Sequence, residues 1–238
     1  MSLVKIPLTL AVCWAFTKAI TPPNPPPTKM DKRLKSNFME MQWYTSRSPA
    51  YATSIQWLAG LAEVATILAF NYPSSQISKF VLSTLVLETG NPAALRLSTA
   101  TTIGGCMMVI GAILRLTTYR YLGKFFKFEA SIQKDHQLVT GGPYSIVRHP
   151  GYTGLLLTHP GWFLWQFGDG SWIKESGLLN TAVGQLVVWT FAVVMILGTL
   201  YLTLGRMHKE DAALKKHFGR QWDEWASRVQ YRVIPGLW

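Results

Sequence analysis

Two long apolar stretches set the fold class: residues 50–72 (AYATSIQWLAGLAEVATILAFNY) and residues 178–204 (LLNTAVGQLVVWTFAVVMILGTLYLTL). A helix needs about 20 predominantly apolar residues to cross hydrocarbon, where every backbone polar group must be satisfied within the segment. A third stretch, 96–118, is uncharged between Arg96 and Arg115, and its Gly104, Gly105 and Gly111 suit close helix packing in lipid. Segment 152–168 is shorter and carries Pro160, so it reads as a kinked span or as one arm of a tight hairpin with 178–204. Segment 3–20 is the least decisive; Lys5 and Lys18 lie near its ends, where long stems can snorkel to headgroups. The expected fold is an all-α polytopic membrane protein of about five transmembrane helices.

Charge supports this map. The stretches 21–49, 119–151 and 205–238 carry five, five and seven Lys+Arg, whereas 73–95 and 169–177 carry one each. An excess of 17 against two predicts that the first three face the cytosol. Cleaving 1–20 as a signal peptide would put the basic 21–49 segment on the far side, so a retained first helix is the better reading. The run TPPNPPPT at 21–28 then serves as a stiff connector. Basic loops facing anionic headgroups account for the net charge of +11. A nucleic-acid surface would need stacking aromatics among those charges, and here the aromatics sit in or beside the spans. Hydrophobic residues at 49% also exclude a disordered basic chain. Cys13 and Cys106 lie in apolar stretches and read as packing thiols. Glu63 sits within a predicted span; a helix–helix hydrogen bond is its simpler reading, a functional carboxylate the other.

Polar chemistry concentrates in two places. Residues 133–154 (QKDHQLVTGGPYSIVRHPGYTG) crowd Gly, Pro, His, Arg and Tyr ahead of an apolar segment. Gly141-Gly142-Pro143 forces a turn, and irregular backbone leaves amides and carbonyls able to bind a ligand. Composition alone leaves an ordinary interfacial loop equally open. In residues 205–232, Leu214, Phe218, Trp222, Trp225 and Val229 recur at spacings of 4, 4, 3 and 4, an amphipathic helical stripe with a break possible at Gly219. It is expected to lie on the membrane or against the first loop. Arg206 and Glu210 are four apart and share a helical face; spacing alone reads as a surface ion pair worth under ~1 kcal/mol.

The two stretches together resemble the isoprenylcysteine carboxyl methyltransferase family and the wider group of phospholipid methyltransferases. The residues that carry the likeness are His136, Leu138, Val139, Gly142, Tyr144, Arg148, His149, Pro150 and Tyr152, then Arg206, Glu210, Asp211, Leu214, Phe218 and Gly219. The likeness covers roughly residues 120–238. It implies an S-adenosylmethionine-dependent membrane enzyme that esterifies the C-terminal carboxylate of a prenylated cysteine. A cytosolic cofactor loop would supply Gln133, His136, Gln137, Leu138, Val139, Tyr144, His149, Pro150, Gly151 and Tyr152, with Glu210 from the second stretch. Arg206 would hold the acceptor carboxylate, and Glu210 would share in catalysis. No metal is implied. Gly151 stands where Ser is common in that family. Asp211 stands where a second Glu is usual, and no contact is assigned to it. No strand leads into a Gly-rich turn of the soluble dinucleotide-binding kind.

The resemblance implies an endoplasmic-reticulum membrane protein with its site and C terminus facing the cytosol. Its partners would be prenylated protein C-termini or small prenylcysteines, together with membrane lipids, and not nucleic acid. Residues 1–118 would hold the N-terminal helices and connector. Residues 119–238 would hold the cofactor loop, the hairpin and the amphipathic helix, all within one integrated membrane domain. Three other readings stay open on the same residues: a lipid amine N-methyltransferase, an NADPH-dependent sterol-reductase-like enzyme, and a non-enzymatic membrane scaffold.

Overall fold

The computed structural model describes residues 3–28, 31–33 and 42–237. The chain is predominantly helical. Its elements are α1 (Lys5–Ile20), β1 (Lys32–Arg33), α2 (Gln42–Asn71), α3 (Gln76–Leu85), α4 (Thr99–Leu122), β2 (Ser131–Ile132), α5 (Pro150–Phe167), α6 (Trp172–Glu175), α7 (Ala182–Leu200), a π-helical turn (Tyr201–Arg206), α8 (Met207–Phe218) and α9 (Arg220–Arg228). Among the described residues three helical stretches are long and apolar enough to cross a membrane: Arg47–Asn71, Thr99–Phe125 and Ala182–Phe218. The other two apolar segments form α1, of 16 residues, and α5, of 18. Residues 76–85, which the sequence pattern left as connection, are helical. Ser75 caps that helix by accepting from the Ser78 amide, which satisfies an otherwise orphaned donor.

The chain divides into two compact units. The first takes Met1–Thr17, Ala52–Ile110 and Leu157–Ile196. Within it α4 and α5 meet backbone to backbone. A Cβ on Gly104 would lie 2.6 Å from the Gly161 carbonyl oxygen, and one on Gly161 would lie 2.7 Å from that of Gly104. Only glycine permits this approach. The first half of α7 packs on the end of α5, with the Trp189 and Phe167 rings stacked at 5.1 Å, but α6 lies in the connection, so the pair is not the tight hairpin expected.

Lys5 does not snorkel to a surface. It is fully buried; its Nζ lies 2.5 Å from Glu63 Oε1 and donates to the Gly170 carbonyl at 2.6 Å. A buried carboxylate requires a counter-charge, and α1 supplies it. Gln56 Oε1 accepts from Trp162 Nε1 and from Gln166 Nε2, both at 2.8 Å. Cys13 is buried against Gln56, whereas Cys106 is exposed and so is not the packing thiol expected.

The second unit takes Lys18–Tyr51, Gly111–Leu156 and Leu197–Trp238. Arg115, read from sequence as the end of a span, lies inside α4 and is 4% exposed. Its guanidinium bridges three segments: Nε donates to the Ala19 carbonyl and to the Tyr119 hydroxyl (3.0 Å), and Nη1 donates to the Gly151 carbonyl (2.8 Å). β1 and β2 pair antiparallel, Lys32 opposite Ile132 and Arg33 opposite Ser131. The helix carrying the aromatic stripe breaks at Gly219, where φ is +54°, so the stripe is divided between α8 and α9. Its Trp222, Trp225 and Val229 form a buried cluster with Tyr144. Leu138, Val139, Leu214 and Phe218 flank that cluster, so the stripe covers the 133–147 loop.

Candidate functional site

The second unit assembles the site from both polar stretches. Helix α5 opens at Pro150, a first-turn position where the missing amide costs nothing. The two residues before it are held by the C-terminal segment. The Arg148 amide donates to the Tyr231 carbonyl at 2.9 Å, and the His149 amide to that of Arg232 at 2.7 Å. Thr153 Oγ1 donates to the Val233 carbonyl at 2.6 Å, which closes a strap over the start of α5.

Glu210, on the first turn of α8, is the hub. Its Oε1 accepts from the Tyr152 hydroxyl and from Arg206 Nε, both at 2.8 Å. Its Oε2 lies 3.6 Å from His149 Nδ1. The Arg206 side chain is 8% exposed and that of Glu210 21%, so this is no open surface pair. The π-helical turn ends at Arg206, and such turns change which face of a helix a side chain presents. On the next residue Asp211 Oδ1 sits 2.9 Å from His149 Nε2, while its Oδ2 faces Arg148 Nη2 at 3.6 Å and Arg232 Nε at 3.4 Å.

The remaining predicted residues fall into two adjoining groups. His136 stacks on Phe125 at 4.7 Å and meets Phe218 edge-on at 5.7 Å. Burial, and then the neighbouring His217, lowers its imidazole below the ordinary value. Gln133 Nε2 donates to the Phe125 carbonyl at 2.9 Å, which ties the loop to the end of α4. Tyr144 is buried with Leu138 and Val139 against the α9 tryptophans, and Trp225 Nε1 donates to its carbonyl at 3.1 Å. Burial, and then the nearby Glu210, raises the Tyr144 phenol, so it stays protonated. Pro150 is buried and Gln137 exposed. A Cβ on Gly151 would meet only Thr118 Oγ1 at an ordinary 3.7 Å, so the Ser common in the resembling family would fit.

Thus the structure unites Tyr152, His149, Arg206 and Glu210 in one group. It also gives Asp211 a partner that spacing did not suggest, because adjacent helical residues face directions about 100° apart. Arg148 and Arg232, the guanidiniums that balance Asp211, were not singled out as site residues. Arg232 lies in a tail with no pattern of its own. Among the described residues no group of His, Cys, Asp and Glu is placed to hold a metal ion.

Comparison with known proteins gives the family of the chain. The profile of the phospholipid methyltransferase family matches residues 99–221, about half the chain, and the chain belongs to that family. Curated relatives carry a more particular name. Protein-S-isoprenylcysteine O-methyltransferase B of Arabidopsis thaliana is 31% identical over 128 residues, 53% of this chain and 55% of that protein. The Tribolium castaneum protein-S-isoprenylcysteine O-methyltransferase is 30% identical over 129 residues, 53% of this chain and 39% of its own. The Homo sapiens enzyme of the same name is 30% identical over 131 residues, 53% and 38% of the two chains. The chain therefore spans about half the length of the plant relative and less of the animal ones. No solved structure matches the chain.

Proposed function

We propose that this protein transfers a methyl group from S-adenosylmethionine to the C-terminal carboxylate of a prenylated cysteine. The observation that carries the reading is the Tyr152–Glu210–Arg206 hydrogen-bonded group beside His149, drawn from two stretches 54 residues apart (152 to 206). The names of the relatives support the substrate class. The charge asymmetry supports a cytosolic site and C terminus on a five-span chain, and the family resemblance alone supports the endoplasmic-reticulum membrane.

The residues fit the methyl donor's chemistry. Its amino-acid end is zwitterionic, and here a carboxylate with one oxygen clear of hydrogen bonds among the described residues stands beside a buried imidazole. Glu210, His149 and Tyr152 would hold that end; His136, Gln133, Gln137, Leu138, Val139, Tyr144, Pro150 and Gly151 would line the rest. The bound donor supplies an electrophilic methyl on a sulfonium sulfur. Arg206 would bind the acceptor carboxylate by charge-assisted hydrogen bonds and aim it. That carboxylate, of pKa near 3.5, is already ionised at neutral pH, so no general base is required. Glu210 holds the Arg206 side chain through Nε, which fixes the guanidinium plane before substrate arrives. Low exposure matters because two opposite charges are consumed together, a process that water opposes by stabilising them apart.

The test is methyl transfer to acetyl-farnesylcysteine against transfer to phosphatidylethanolamine in detergent. Labelling of the prenylcysteine ester, lost chiefly through acceptor use in Arg206→Ala and through donor binding in Glu210→Ala, is the expected result. Labelling of the lipid alone would overturn the proposal.

A further inference from the structure

We infer that Asp211 is a positioning residue that holds His149 in its Nε2–H tautomer, so that His149 Nδ1 and Glu210 Oε2 form a paired acceptor for a primary ammonium group. The argument begins with Asp211. Two guanidiniums stand at 3.4 and 3.6 Å from its Oδ2, and positive neighbours at that range keep a carboxylate ionised. An ionised carboxylate only accepts. The 2.9 Å contact between Asp211 Oδ1 and His149 Nε2 therefore requires the proton on Nε2. A neutral imidazole with its proton there has a lone pair on Nδ1.

That lone pair faces another acceptor. Glu210 Oε2 lies 3.6 Å from Nδ1, too far for a hydrogen bond, whereas the other Glu210 oxygen already serves Tyr152 and Arg206. His149 is 7% exposed, and among the described residues its Nδ1 has no hydrogen-bond donor. Two acceptors turned towards each other are satisfied by a shared donor that enters between or beside them. A carboxylate paired with an imidazole lone pair selects a cationic donor, and a primary ammonium has three N–H groups to divide between them. Rotating the ring away would break the contact of its far nitrogen with Asp211.

The ammonium has two possible sources. One is the amino-acid end of the methyl donor, and in that case the inference rests on the function proposed above. The other is an aminolipid headgroup. The experiment separates them. Full-length protein in lipid nanodiscs, labelled with 15N at histidine and assigned with His149→Asn, reports the tautomer directly. The expected spectrum has a protonated Nε2 and an unprotonated Nδ1 at a pH above the imidazole range. A protonated Nδ1 in the unsubstituted protein overturns the inference without any variant having to fold.

Binding is then measured for S-adenosylhomocysteine, for its analogue lacking the ammonium, and for phosphatidylethanolamine supplied in the disc. Asp211→Asn, whose amide can donate to Nε2 and drive the proton to Nδ1, should weaken the ammonium-bearing ligand about 10- to 100-fold. It should leave the deaminated analogue unaffected, and Asp211→Glu should restore binding. If only the aminolipid responds and the nucleoside does not bind, the paired acceptor stands and the methyl-ester reading falls. Equal weakening of the deaminated analogue overturns the inference, as does no weakening of any ammonium-bearing ligand.

Discussion

Gly142 tests whether the conformation of the 133–147 loop is built into its backbone. It sits at φ +59°, a region that costs a residue with a Cβ about 1 kcal/mol. An alanine Cβ there would also fall 2.2 to 2.7 Å from three ring carbons of Tyr121, against the 3.5–4.0 Å of a relaxed contact. The ring must move by more than ~1 Å to admit it. Tyr121 is half exposed and can swing towards solvent, so the overlap adds about 1–2 kcal/mol rather than a full core clash. Gly142→Ala should therefore destabilise the second unit by about 2–3 kcal/mol and loosen Tyr144, two residues on. Gly141 supplies the control: its φ is −94°, a Cβ there would meet only Tyr121 at 4.0 Å, and its substitution should cost under ~0.5 kcal/mol. Thermal unfolding in detergent, with and without S-adenosylhomocysteine, measures both. Tyr121→Ala should remove the steric part of the Gly142→Ala penalty and leave the backbone part. Equal behaviour of the two alanine variants would refute the reasoning.

Other perturbations probe other parts. Lys5→Met should cost about 3–5 kcal/mol, because it strands Glu63; the double change with Glu63→Met should recover most of that, read as unfolding midpoints. Trp225→Phe removes part of a buried ring and also leaves the Tyr144 carbonyl without its donor, at a cost of about 2–4 kcal/mol in the same assay. Arg206 and Glu210 share a 2.8 Å hydrogen bond, so the losses from their single alanine variants should not add in a double-mutant cycle on kcat/KM. His136 is held neutral between Phe125 and Phe218. Its folded value lies below the ordinary ~6.5, so the stability it contributes is complete above that pH and declines as the pH falls through it. Methyl-donor affinity followed on acidification should fall more steeply in the unsubstituted protein than in His136→Asn.

Much of this was legible because it is written in periods and special residues. The 4-4-3-4 stripe predicted a helical face, and the break at Gly219 followed from the residue type, since its φ of +54° suits only glycine. The apolar runs located α2, α4 and α7. What the stripe covers was less legible: the pattern cannot distinguish a lipid surface from Leu138, Val139 and Tyr144. The partners of buried charges were missed for one shared reason. Lys5 looked like a headgroup anchor and Arg115 like a helix end, because position in a window says nothing of what lies across the bundle. Likewise, the neighbour rule that joins residues four apart found Arg206 with Glu210 but not Asp211 with His149, whose pairing is tertiary.

A further set of tertiary contacts comes from the part of the chain beyond the family match, which ends at residue 221. Trp222, Trp225 and Val229 bury Tyr144, the carbonyls of Tyr231 and Arg232 hold Arg148 and His149, and Arg232 balances Asp211. Each contact acts on a residue inside the match, through apolar packing, backbone carbonyls and the Arg232 guanidinium. The tail therefore works as a clamp. Ending the chain after Gln230 should leave α8 and α9 folded, since their cluster is complete by Val229, yet free the two amides ahead of α5 and expose Asp211 to unbalanced neighbours. Circular dichroism of the truncated protein should stay helical while affinity for the methyl donor falls at least ten-fold, the loss of about one charge-assisted hydrogen bond. Unchanged affinity would mean that Pro150 and the Asp211 contact alone fix His149, and the strap would then be mere covering.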